Sequence, residues 1–167
     1  GFSHIHSWTM GGLLTMPVTG PLKIKPGEEN EPDSGYRSRI NHKNEKASLS
    51  YYSVLLDDYN IKAELTSTTR TGFQRYTFPK SDSSRILFDL ENGSEYPYEV
   101  RWASISKVSD YEIEGFSTQS SYDEPTNLLN DYTVYFVARV DKPMKSFGAW
   151  VNGYVDTTAS ICWGRHD

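Results

Sequence analysis

The 167 residues carry 17 Lys and Arg against 22 Asp and Glu, a formal net charge of −5. That length fits one domain, 1–167, able to bury about 68–70% of its unfolded surface without a metal or disulfide. The acidic balance argues against a nucleic-acid partner, no apolar run approaches the roughly 20 residues of a membrane helix, and the single Cys162 excludes an internal disulfide or a cysteine-rich zinc site.

Aromatic residues reach 14% although hydrophobic residues total only 37%, and Thr and Ser are abundant. Such side chains suit pleated, half-buried surfaces, so the composition favours an all-β chain. The start, Gly1-Phe2-Ser3-His4, has no charged, then apolar leader, so no signal peptide is expected. Residues 26–50, with Pro26, Gly27, Pro32, Gly35 and a run of carboxylates from Glu28 to Asp33, read as a long excursion that is functional or disordered. Tyr51–Leu56 reads as a strand, followed by a turn at Asp57–Asn60. In 61–70, Ile61, Ala63 and Leu65 alternate with Lys62 and Glu64, one face on a core and one in water. Phe73–Phe78 follows across Thr71-Gly72 as a hairpin or bulge. Arg85–Leu90 is a short strand before the turn signal Asn92-Gly93.

Glu99–Val108 alternates again, with Val100, Trp102 and Ser104 opposite Arg101 and Ala103; Tyr111, Ile113 and Gly115 oppose Glu112, Glu114 and Phe116. Thr133–Val140 is apolar on both faces and predicts a central strand covered on both sides. Phe147–Val151 and Tyr154–Thr158 form a last pair around Asn152-Gly153. Short strands spaced by turn signals, without a helical stripe, predict an antiparallel β-sandwich of roughly 8–12 strands. Ile61, Leu65, Trp102, Val134 and Phe136 are the expected core.

Few residues announce chemistry. His4 and His6 would share one face of a strand, as a metal pair could, but no third or fourth ligand stands nearby. Asp57-Asp58 and Asp123-Glu124 are adjacent carboxylates, whereas acid–base catalysis on a sugar needs two that converge across it. No Gly-x-Ser-x-Gly elbow or phosphate loop is present. Cys162, between Ile161 and Trp163, reads as a packed thiol, and Asn92-Gly93-Ser94 fits a glycosylation sequon or a hairpin turn. Trp8, two residues from His6 and followed by Gly11-Gly12, could stack on a sugar ring while the histidines bond its hydroxyls; it could equally be core.

Two blocks carry a resemblance. Gly1-Phe2-Ser3-His4-Ile5-His6 with Leu13-Leu14-Thr15-Met16-Pro17 resembles the Gly-Phe-Ser-His-x-His…Met-Pro segment of the glycoside hydrolase family 92 α-mannosidases. Tyr51-Tyr52-Ser53-Val54 through Ile61-x-Ala63-Glu64-Leu65-Thr66 to Arg75-Tyr76-Thr77-Phe78-Pro79 is similar to that family's next signature. The chain departs from the family where Ser7-Trp8-Thr9-Met10-Gly11-Gly12 replaces the commoner Leu-Ser-Gly-Thr-Gly.

The resemblance implies part of an N-terminal β-sandwich that packs on a C-terminal (α/α)₆ catalytic barrel of the same chain. It also implies an inverting, calcium-dependent exo-α-mannosidase whose acid, base and calcium ligands lie mainly in the barrel. The parent is expected to be bacterial, secreted or periplasmic, and to act on glycoprotein or yeast-type mannans. On this expectation the chain holds no catalytic residue and no calcium of its own and is inactive alone. His4, His6 and Trp8 are its candidate substrate-binding residues. The competing expectation is a free-standing carbohydrate-binding module. An apolar patch on one face favours the docking domain; a strip of planar aromatics on a polar surface favours the module.

Overall fold

A computed structural model describes residues 1–3, 13–91, 99–123, 128–159 and 161–165. These residues are all-β and antiparallel in class, as the alternation predicts, with twelve strands and two 3-10 turns at Pro32–Ser34 and His42–Asn44. Among the described residues no helix is long and apolar enough to cross a membrane. Contacts group the chain into two units, Gly1–His4 with Thr15–Phe88, and Ile5–Leu14 with Asp89–Asp167.

In the first unit a four-stranded sheet runs in the order β2 (Lys46–Ser48), β3 (Tyr51–Leu56), β4 (Ile61–Ser67), β5 (Gly72–Thr77). The strict alternation of β4 places Ile61 and Ala63, both 0% exposed, on the inner face against Leu56 and Val54 of β3. Leu65 of the expected core is half-buried, because its end of the strand runs toward the exposed Ser67. The turn after β3 is made by Asn60 in the left-handed region, φ 50°, which Asn tolerates. Strands β4 and β5 are joined through Thr68–Thr71, where the Thr68 N–H donates to the Thr71 carbonyl at 2.8 Å. A second, two-stranded sheet pairs β1 (Leu14–Val18) with β6 (Arg85–Asp89), and all five residues of β1 are buried. Strand β1 lies outside the predicted strands, since Pro17 lacks the N–H a central strand uses.

The 26–50 excursion is tied down along its length. Tyr36, 1% exposed, is its anchor: its N–H donates to the Lys25 carbonyl (2.9 Å), and the Tyr59 hydroxyl donates to the Tyr36 carbonyl (3.1 Å). Ile40 bridges to Leu56, and the Asp57 N–H donates to the Arg39 carbonyl (3.0 Å). Buried apolar and backbone groups, not composition, decide its order.

The second unit is built on the sheet β12 (Ile161–Arg165), β7 (Glu99–Ser109), β8 (Glu112–Asp123), β9 (Leu128–Arg139). Its core gathers Leu90, Val100 and Ala103 with Leu13, Ile105 and Phe136. A small hairpin joins β10 (Ala149–Val151) to β11 (Tyr154–Asp156) through Asn152-Gly153, both at positive φ (49° and 81°), the signature of a two-residue type I′ turn. Trp150 is half-buried there.

Two expectations for this unit are corrected. Val100 faces Gln119 while Trp102 faces Thr118, so Arg101 is an extra residue on β7. The bulge advances the alternation by one, which places Ala103 and Ile105 on the face of Val100 and turns Trp102 outward, 43% exposed. Strand β9 is an edge strand among the described residues, not a central one. Val134 and Phe136 face inward and are half-buried, while Tyr135 and Val137 are 77% and 61% exposed.

Candidate functional site

His4, His6 and Trp8 lie outside the described residues, as do Glu124, His166 and the Asn92-Gly93-Ser94 sequon. The side chains of Asp123 and Cys162 are likewise not described, although the Cys162 backbone pairs with Ile105. What the structure does place is the pair of residues from which the 4–12 segment departs and to which it returns. Phe2 and Thr15 form an antiparallel bridge, each backbone N–H donating to the other's carbonyl at 2.8 Å.

A polar cluster missed by the sequence reading sits on this bridge. The Thr15 hydroxyl lies 2.8 Å from Gln74 Oε1, 3.1 Å from the Phe2 carbonyl and 3.2 Å from the Tyr76 hydroxyl; the Tyr76 hydroxyl also donates to Gln74 Oε1. Each hydroxyl proton serves one acceptor at a time, so when Thr15 and Tyr76 both donate to Gln74 Oε1 the Thr15–Tyr76 and Thr15–Phe2 contacts are alternatives to those bonds rather than additions to them. The Phe2 ring lies 6.1 Å from that of Tyr76, which meets Phe78 edge-on at 6.4 Å. Burial pushes the Tyr76 phenol up to about 12, with the Thr15 bond opposing it, so the hydroxyl stays protonated as a donor. Phe2, Thr15 and Tyr76 each fall in a block that carried the resemblance, whereas Gln74 falls in none. Thr15 lies 59 and 61 residues from Gln74 and Tyr76 in the chain.

Several of the described carboxylates are engaged in structural bonds. Asp58 accepts from the Arg39 backbone N–H (2.6 Å) and from Arg39 Nε (2.7 Å), and its own N–H donates to Ser38 Oγ (3.2 Å). Burial pushes the Asp58 carboxyl up, but the Arg39 bonds and charge outweigh it and hold it below its usual range. Adjacent Asp57 is exposed, and the Asp58 carboxylate is committed to Arg39. Glu64 accepts from Arg75 Nε (3.0 Å) and the Tyr51 hydroxyl (2.7 Å), with Lys62 Nζ at 3.1 Å; Arg75 first, then Tyr51 and Lys62, bring its carboxyl down to about 2. His42 pairs with Glu45 (2.7 Å), which the Tyr52 hydroxyl also bonds (2.5 Å). Among the described residues no three His, Cys, Asp or Glu side chains gather as a metal site would require.

Comparison with known proteins identifies the context of this cluster. Residues 1–165 match the family described as the glycosyl hydrolase family 92 N-terminal domain. Among solved structures, a family 92 α-mannosidase of Bacteroides thetaiotaomicron superposes with a TM-score of 0.83 at 31% identity, over 93% of this chain and 21% of that one. The same enzyme in complex with mannoimidazole gives 0.82 at 31% identity, over 93% and 20%. The chain thus spans about a fifth of the length of these relatives. No curated protein matches the sequence.

Proposed function

The chain belongs to the glycosyl hydrolase family 92 N-terminal domains, and from that membership we propose that it is the N-terminal β-sandwich domain, 1–167, of an exo-acting α-mannosidase. The observation that carries the reading is the match over residues 1–165, joined to 31% identity with a whole α-mannosidase over 93% of this chain. The parent hydrolyses terminal mannose from α-mannosides or glycoprotein glycans. The partner of this domain is the C-terminal catalytic domain of the same polypeptide, which holds the calcium ion and the acid and base carboxylates. The parent is exported by a bacterium. The domain contributes His4, His6 and Trp8 to the rim of the sugar pocket and is inactive alone.

The network on the Phe2–Thr15 bridge supports this role. It fixes Phe2 and Thr15, which flank His4, His6 and Trp8 in sequence, against each other. The free-standing module is less well supported. The Phe116 and Tyr135 rings on the open sheet face are tilted 45° and neighbour Val137 and Ile161, unlike a flat aromatic strip on a polar surface.

The test is an assay on an aryl α-mannoside. The full-length polypeptide should turn over, lose activity when calcium is chelated and regain it on readdition, while residues 1–167 alone should release nothing. Turnover by the 1–167 chain, or a full-length polypeptide inert toward α-mannosides, would refute the reading.

A further inference from the structure

The Asn152-Gly153 turn carries chemistry that no sugar-binding role needs. Val151 pairs with Tyr154, so Asn152 and Gly153 are the two residues outside the register of the β10–β11 hairpin, and both are exposed. An asparagine amide is thermolabile. Its Cγ is an electrophile, and the backbone nitrogen of the next residue can close a five-membered ring on it. Glycine is the least hindered neighbour for that attack, and nothing lies within 4 Å of where a Cβ would stand on Gly153. The closed turn restrains the reaction. Asn152 at φ 49° and Gly153 at φ 81° form a type I′ turn, whose first central residue has ψ of about +30°. At that ψ the Asn152 Cβ and the Gly153 nitrogen are turned nearly opposite about the Cα–C bond, whereas the ring needs them on the same side. Opening of the turn is therefore required first. The base of the hairpin is closed: an added Cβ on Gly148 would lie 3.1 Å from the Asp156 carbonyl oxygen, and Asp156 Oδ1 accepts from the Thr158 N–H (2.8 Å), the Thr158 hydroxyl (2.8 Å) and the Ala159 N–H (3.2 Å). The tip has no such anchor in its register, and Tyr154 beside it is 77% exposed, so it is the end that frays.

We propose that Asn152 is a site of spontaneous deamidation, gated by fraying of the β10–β11 turn. In the opened turn the Gly153 nitrogen, its proton taken by solvent hydroxide, bonds to Asn152 Cγ; the Cγ–Nδ2 bond breaks, and ammonia leaves with a proton from water. The product is a succinimide, which water opens at either ring carbonyl. One opening leaves aspartate at 152. Asp-Gly suits the same type I′ turn, so this product keeps the hairpin. The other opening leaves isoaspartate, whose main chain runs through the former side chain and is one methylene longer. That residue cannot close a two-residue turn between Val151 and Tyr154, so this product loses the register of the hairpin tip. Either product puts a carboxylate where a neutral amide stood, on a chain already at −5. Only water is consumed, and the reaction is independent of any mannoside chemistry.

Peptide mass spectrometry of the full-length polypeptide, aged at mildly alkaline pH in the native state and in guanidinium, tests this without substitution. Trypsin cuts after Lys145 and Arg165, and the peptide 146–165 holds Asn152 as its only Asn or Gln. A gain of the acid-for-amide mass on that peptide therefore reports Asn152 alone. The peptide 86–101, with Asn92 as its only Asn or Gln, carries the same Asn-Gly pair and calibrates the rate in the unfolded chain. Expected is acid gain on 146–165 in the native protein, several-fold slower than in guanidinium, with part of the product labelled by isoaspartyl methyltransferase. No native gain over a period that fully converts the unfolded chain would overturn the site. A native rate equal to the unfolded one would overturn the gating by the turn, and product that is never labelled by the methyltransferase would overturn the succinimide route.

Discussion

The backbones of Phe2 and Thr15 exchange two hydrogen bonds of 2.8 Å, and the Thr15 side chain adds a contact of 3.1 Å to the same Phe2 carbonyl. Thirteen residues separate them in sequence. The bridge pairs two residues that flank His4, His6 and Trp8 in sequence. The cost of bringing them together is met locally by the Thr15–Gln74–Tyr76 cluster and by the tilted Phe2–Tyr76 and edge-on Tyr76–Phe78 ring contacts.

A double-mutant cycle measures that cluster. Tyr76→Phe leaves Gln74 Oε1 with the Thr15 donor, and Thr15→Val leaves it with the Tyr76 donor. Each single change should cost about 0.5–1.5 kcal/mol, the usual net worth of one hydrogen bond. The double variant strips Gln74 of both donors and should cost at least about 0.5 kcal/mol more than the sum. Urea unfolding of the four proteins gives the coupling. Strict additivity would show that the three side chains do not act as a unit.

Glu64 sets the acid limb of stability. Its carboxyl is brought down to about 2 in the folded chain from an ordinary 4.5. A carboxylate with a depressed pKa lends stability that is fully present above its unfolded value and is lost as pH falls toward the folded one. Melting temperature should therefore drop between pH 4.5 and 2, and the Glu64→Gln variant should show a shallower drop over that window. Equal slopes for the two proteins would mean that Arg75, Tyr51 and Lys62 do not favour the ionised form.

Where the sequence spoke plainly, it did so through period-two alternation and turn chemistry. Ile61 and Ala63 are buried as the pattern of β4 requires, and Asn152-Gly153 makes the hairpin its two residues demand. Trp102 was misplaced because a bulge leaves no mark in the one-letter string; it shows only in the register against β8. The two-sided apolar character of β9 was real, but apolarity cannot say whether a face is covered by this chain. The order of the 26–50 excursion depends on Arg39 reaching Asp58 and on Tyr36 reaching Tyr59, partners 19 and 23 residues away that composition does not reveal. The three short strands β1, β2 and β12 lay below the pattern threshold, holding a proline, three residues and five residues respectively. Of the candidate site, the His–x–His and Trp8 segment was legible as chemistry, whereas the Thr15–Gln74–Tyr76 cluster needs residues from two strands far apart in sequence.

The base of the excursion gives a steric prediction. An added Cβ on Gly35 would lie 2.1 Å from the Gly27 nitrogen and 2.2 Å from the Pro26 carbonyl carbon, both backbone atoms that cannot swing aside. Gly20 is the opposite case: its φ of +83° disfavours a side chain, yet nothing lies within 4 Å of the added atom. Gly20→Ala should cost about 1–2 kcal/mol from backbone strain alone. Gly35→Ala should cost clearly more and expose the Arg37–Arg39 stretch to trypsin, because the strand-like contact of 26–27 with 35–37 must open. A Gly35→Ala protein no less stable than Gly20→Ala would show that this crossing is not tight.

Trp8 decides between a residue that holds substrate and one that fills a core. In the proposed role it stands beside His4 and His6 at the rim of a mannoside pocket completed by the catalytic domain, with its ring stacked on the sugar and the imidazoles bonding hydroxyls. Truncating such a ring removes binding to the transition state and little else. Trp8→Ala should then leave the urea midpoint of the 1–167 chain nearly unchanged and lower kcat/KM of the full-length enzyme on an α-mannoside. A tryptophan packed in a core behaves in the opposite way, costing about 3–5 kcal/mol on truncation. His4→Ala and His6→Ala should follow Trp8→Ala in kinetics, because the three lie within five residues of one another in sequence. Unfolding of the 1–167 chain by Trp8→Ala, or full-length kinetics left untouched by it, would remove Trp8 from the site.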